Sequence, residues 1–216
     1  MIARRDCNAS SEAGLNVDVE VRHEGLVEAI VGHEDHGSAK IQWVASGAWN
    51  FFYPVPDPMF GCRLHMGDLA VNKALAAGER REFRDYVDLA MIHEHVMPLW
   101  HAVWAAPAKD ESSSPIKLLE KIAATNRFRQ IELDERVVST VDLSMEEIGT
   151  TVRRAVEEAR QIFTRLPGQS AGRLFVDAER QLVNDVERIL AGGEPVTSLD
   201  AAIGGAGPLG LTSTPS

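Results

Sequence analysis

Asp68-Leu-Ala-Val-Asn72-Lys73-Ala-Leu-Ala-Ala-Gly78-Glu-Arg80-Arg-Glu-Phe83-Arg84-Asp85-Tyr-Val-Asp88-Leu89 is the stretch whose reading decides the fold. Asp68 suits a helix N-cap, and Gly78 suits the stop of a helix that runs to about Ala77. A second helix is predicted over about 80–96, with Phe83, Val87, Ala90 and Met91 at helical spacing. Two antiparallel helices joined at a glycine turn bring Lys73 back towards Arg84, Asp85 and Asp88. A lysine is a point charge suited to a phosphate, and an aspartate beside it can orient that lysine or offer an oxygen to Mg²⁺. The competing reading is plainer. Arg84 and Asp88 lie four apart and could form a surface pair worth roughly 0.3–0.5 kcal/mol, with Lys73 solvated.

Downstream the helical period continues. Pro98 opens a short helix carrying Leu99, Trp100, Val103 and Trp104. Ser114 before Pro115 is a cap followed by a proline at the first helical position, for a helix running through Leu118, Leu119 and Ile122 to about Thr125. Ser144-Met-Glu-Glu147 is a capping box that opens the longest helix, to about Leu166, before Pro167-Gly168. Leu174 to Val176 reads as a short extended segment, with a last helix near 178–191. Beyond Gly192 the composition is Gly, Pro, Ser, Thr and Ala, which predicts a disordered tail over 192–216.

Upstream the period changes to two. Val17, Val19 and Val21 alternate with Asp18, Glu20 and Arg22, as in a half-buried strand. Leu26 to Val31 and Lys40 to Ala45 follow, separated by the Gly-bounded polar loop 32–37, which reads as a hairpin connection. A fourth apolar stretch, Trp49 to Tyr53, ends where three prolines within Pro54–Pro58 should stop regular structure. The expectation is an α+β chain: a small antiparallel sheet over 1–58, a helical region over 59–191, then the tail.

The totals bound the partners. With 22 basic residues against 32 acidic ones, the net charge of −10 disfavours non-specific capture of DNA or of anionic membranes. Cys7 and Cys62 lie outside any Cys-x-x-Cys pair, which argues against zinc and for a reducing cytoplasm. The most apolar run, Leu89 to Ala108, is broken by His93, Glu94, His95 and Pro98, so it reads as core helices and not as a membrane span. His33, Glu34, Asp35 and His36 crowd one loop and read as a solvated turn. His93 and His95 diverge on a helix, and Trp100 and Trp104 read as core.

The pattern Asp-Leu-Ala-x-Asn-Lys, then Arg-Asp-x-x-Asp-Leu, resembles the late motif of AbiEii-type nucleotidyltransferases, which include toxins of type IV toxin–antitoxin systems. Trp43-Val-Ala, Phe51-Phe-Tyr-Pro, the frame at 57–65, Pro98-Leu99 and Trp104-Ala-Ala extend the resemblance over about 12–190. It implies a partial polymerase-β-like nucleotidyltransferase sheet followed by a helical C-terminal region. It also implies Mg²⁺-dependent transfer of a nucleotide from an NTP to an acceptor such as tRNA, and a cognate antitoxin as possible partner. By this resemblance Lys73 and Asp85 are catalytic-pocket residues, supported by Asp68, Arg80, Arg84 and Asp88. The family's Gly-Ser turn and Asp-x-Asp pair have no clear counterpart; Asp18-Val-Glu20 is the one candidate for the metal acids. Gln42 stands where a third carboxylate is expected, and a neutral amide is a poor Mg²⁺ ligand. Aligned from the late motif, the family's first strand and helix would precede residue 1. A truncated chain, weak or inactive in transfer, is therefore expected. The alternatives are a helical interaction module, or an enzyme completed by a missing N-terminal segment or a partner chain.

Overall fold

The computed structural model describes residues 7, 8, 10–23, 26–44, 50–59, 61–80, 82–124, 144–193 and 196–199. The fold is mixed α+β, with small antiparallel sheets and several helices. The chain divides into two compact units, Met1–Gly47 and Ala48–Ser216.

The first unit holds β1 (Asn16–His23), β2 (Leu26–His33) and β3 (Gly37–Val44) in the antiparallel order β1-β2-β3. Its register puts Val17 opposite Val31, and Val19 opposite Ala29, which in turn faces Ile41. Val17 and Val19 thus share one face with Val31, Ala29 and Ile41, as the period of two predicts. A bulge between Val19 and Val21 shifts the register of β1. The β2–β3 turn closes at Gly37, whose φ of 78° lies in the left-handed region that glycine reaches without strain.

The second unit begins differently from expectation. Phe51 and Phe52 are not part of a strand; they sit in a bend and are buried. Regular structure instead appears among the prolines, where β4 (Val55–Asp57) and β5 (Gly61–Arg63) form a short hairpin with Pro56 opposite Cys62. Proline is compatible with a two-stranded ribbon because the missing N–H can face away from the partner strand. The hairpin straddles residue 58, so the expected boundary there falls inside a structural element.

Helices α1 (Met66–Glu79), α2 (Phe83–His95) and α3 (Leu99–Ala105) follow, then α4 (Pro115–Ala124) and α5 (Met145–Phe163). Every residue of α3 is buried, and α1, α4 and α5 pack against it. Apart from His101, the α3 sequence is apolar all round, as suits a central helix. On α5 the buried residues Ile148, Val152, Ala155, Val156, Ala159 and Ile162 recur every three or four positions. Each buried Ile or Val contributes about 1.5–3 kcal/mol, so this stripe drives docking of the longest helix. Its N-cap is Ser144, whose hydroxyl accepts from the Glu147 N–H, and Ser114 accepts likewise from the Lys117 N–H. No helix among the described residues is long and apolar enough to cross a membrane.

Gly78 does not stop α1. The helix continues to Glu79, and Gly78 lies where a side chain would collide with Leu118 of α4. Its role is close helix packing. Gly78→Val should therefore destabilise the unit by about 1–3 kcal/mol, because buried Leu118 has little room to move. A double-mutant cycle with Leu118→Ala checks this; additive effects would contradict it.

The C-terminal part also departs from expectation. The helix expected over 178–191 reduces to α6 (Val186–Leu190). The region after 192 is not wholly without packing, since β7 (Thr197–Leu199) pairs with β6 (Leu174–Val176) and Val196 packs on the core. The remaining tail expectation, 200–216, lies outside the described residues.

Candidate functional site

Lys73 and Asp85 meet. The packing of α1 against α2 sets Lys73 Nζ 2.9 Å from Asp85 Oδ1 and 2.7 Å from Asp88 Oδ2. Arg80, the residue that ends α1, donates from Nε to Asp85 Oδ2 at 2.8 Å and from Nη2 to Oδ1 at 3.1 Å. Asp85 thus accepts three charge-assisted bonds from two cations. It sits in the first turn of α2, where the helix dipole also favours a negative charge. The four groups form a neutral cluster, two positive against two negative.

The members differ in exposure. The Asp85 side chain is 1% exposed, Lys73 25%, Asp88 48% and Arg80 50%. Burial pushes the Asp85 carboxyl up, but the bonds from Arg80 and Lys73 outweigh it and hold the group below the usual carboxylate range. Burial pulls the Lys73 ammonium down, and the two carboxylates more than offset it. Both groups therefore stay charged at neutral pH. Arg84 points elsewhere: it is exposed and forms no ion pair among the described residues. The plain Arg84–Asp88 surface pair does not form, because Asp88 turns to Lys73.

Asp68 belongs to a second, buried cluster. It does not cap α1; His65 does, its Nδ1 accepting from the Gly67 N–H. Asp68 is completely buried and accepts from the N–H groups of Phe51 and Phe52 at 2.8 and 3.0 Å. Lys109 Nζ lies 2.8 Å from Asp68 Oδ1 and donates to Asn72 Oδ1 at 2.9 Å. Burial lowers the Lys109 pKa, against the pull of Asp68. Asp68 and Asn72 are one helical turn apart, so this cluster pins the 51–52 bend and Lys109 to the same helix that carries Lys73.

A third buried polar group is His101 on α3. Its Nε2 accepts from the Phe175 N–H at 2.8 Å. The proton must then sit on Nδ1, which donates to Asn184 Oδ1 at 2.9 Å. Burial pushes the imidazole down to about 4, so it is neutral. It ties α3 to β6 and to the segment before α6, a structural task. Trp104 Nε1 likewise donates to Ser170 O.

Among the described residues of the first unit, the acids form no metal-holding group. Asp18 and Glu20 are exposed on β1, and Glu20 lies 3.9 Å from Lys40 Nζ. Lys40 is held by Glu28 at 2.7 Å, and Gln42 donates to the other oxygen of Glu28. Among the described residues no group of three or more His, Cys, Asp and Glu is disposed to hold a metal ion. Asp85 and Asp88 are each already neutralised by a cation, and Gln42 is an amide. A carboxylate already paired with a cation and a neutral amide are both poor Mg²⁺ ligands.

No family model matches this chain, no curated protein matches it, and no solved structure matches it.

Proposed function

We propose that this chain is a nucleotidyltransferase-like protein that holds the phosphates of an NTP at Lys73 and Arg80 and transfers nucleotide weakly or not at all. The observation that carries this reading is the convergence of Lys73, Arg80, Asp85 and Asp88 at one helix–helix junction. Asp85 fixes both cations by hydrogen bonds, while Lys73 and Arg80 keep part of their surface open to water. A fixed, partly exposed pair of cations is what a phosphate chain requires. Weak transfer follows from charge: the acids near Lys73 are already paired. Binding that is equal for ground and transition states does not lower the barrier.

A second reading is a helical interaction module, with the same cluster as an internal clamp. What favours it is that the four charges satisfy one another without a ligand. The discriminating experiment incubates the purified chain with Mg²⁺, each labelled NTP and a total tRNA pool. The expected result is NTP binding that Lys73→Ala abolishes, with little label transferred. Robust transfer lost in Lys73→Ala would contradict the weak-transfer reading, and absence of any Lys73-dependent binding would favour the clamp.

A further inference from the structure

The cluster has a fixed half and an exchangeable half. Asp85 is buried and held three times over by Lys73 and Arg80. Asp88 lies one helical turn further along α2, is half exposed, and has Lys73 as its ion-pair partner among the described residues. Breaking the Asp85 contacts would strand a carboxylate in the interior. Breaking the Asp88 contact only returns a carboxylate to water, which costs little.

We propose that Asp88 is an internal competitor for the anion site on Lys73, occupying the position that a phosphate oxygen takes when a ligand binds. The proposal rests on the phosphate-binding reading above and adds its regulation. With Asp88 in place the cluster is neutral and weakly attractive to anions. With Asp88 swung into solvent, Lys73 and Arg80 face one remaining carboxylate, and the site carries a net positive charge. Arg80 spends Nε and Nη2 on Asp85, and its remaining amino group, Nη1, has no hydrogen-bond partner among the described residues. The two cations share the Oδ1 oxygen of Asp85, which sets them close enough for one phosphate group to bridge. Ligand affinity is then the intrinsic affinity reduced by the cost of displacing Asp88.

The test is calorimetric titration of the full chain with inorganic pyrophosphate and, separately, with ATP. It compares the wild type, Asp88→Asn, Asp88→Ser, and each of these with Lys73→Ala added. Thermal unfolding of every variant checks that it is folded. The expected result is that both Asp88 variants bind pyrophosphate about five- to tenfold more tightly than the wild type, and that Lys73→Ala removes the gain. Pyrophosphate and ATP gaining equally would mean that the phosphate chain alone is recognised. If the wild type binds in a Lys73-dependent way but neither Asp88 variant binds more tightly, the competitor proposal is overturned while the phosphate-binding reading stands. If no variant shows Lys73-dependent binding, both fall.

Discussion

Replacing Asp68 by alanine is expected to cost the second unit about 3–5 kcal/mol, the largest loss of any single charged substitution described above. Three groups lose an acceptor at once, and Lys109 keeps only neutral ones such as Asn72. Lys109, with a side chain only 5% exposed, would retain a buried positive charge. The N–H groups of Phe51 and Phe52 would be left without an acceptor in the interior. Lys109 can shed its proton, a response its burial already favours, and this limits the penalty. Asp85→Ala provides the comparison, because the cations it would leave behind are partly exposed and Asp88 still engages Lys73. Its expected cost is smaller, about 1–3 kcal/mol. Urea unfolding of both variants by circular dichroism checks the ranking. An Asp68→Ala variant losing less than Asp85→Ala would show that the buried pair does not hold the 51–52 bend.

The second large effect is a loss of stability in weak acid that depends on His101. The imidazole has an ordinary pKa of 6.5, and burial lowers it to about 4 in the folded chain. Between those values the unfolded chain takes up a proton that the folded chain refuses. Stability from this group is therefore complete above 6.5 and declines as pH falls towards 4, by about 2–3 kcal/mol between pH 7 and 4.5. His65 and His93, both lowered by burial, act in the same direction. The His101 share is isolated by comparing the pH slopes of the wild type and His101→Gln. Asp85 acts in a separate window: its folded value is depressed below 3.8, so its contribution is full above 3.8 and disappears only as pH falls through that lower value. Parallel slopes for the wild type and His101→Gln would refute the assignment.

The legible parts of this chain were those written in local periodicity. Alternating valines gave β1, apolar runs around a Gly-bounded loop gave its partners, helical spacing of apolar residues gave α2, and a capping box gave the start of α5. The meeting of Lys73 with Asp85 was legible from two helices joined by a short turn. The turn itself was misread, because a glycine ending a helix and a glycine admitting Leu118 look alike in sequence. Asp68 was misread for the same reason: its position fits a cap, and nothing local reveals that Lys109, 41 residues away, reaches it. His101 was invisible inside the apolar run of α3, since its partners lie 74 and 83 residues downstream. The β4–β5 hairpin was hidden by prolines, and β7 by a composition that elsewhere signals disorder. Long-range polar pairing has no period, so it does not appear until the chain is folded.

We propose Lys73, held by Asp85, as a phosphate-binding group and not only an internal clamp. The most direct measurement is the ammonium NMR spectrum of the ¹⁵N-lysine-labelled full chain during titration with each NTP. Lys73 and Lys109 make a natural pair for comparison, because both are paired with aspartates and only Lys73 is partly open to water. The Lys73 signal, assigned by its loss in Lys73→Ala, is expected to move saturably while the Lys109 signal stays unmoved. A Lys73 signal that stays fixed at saturating NTP would contradict the claim and leave the cluster as a helix–helix clamp.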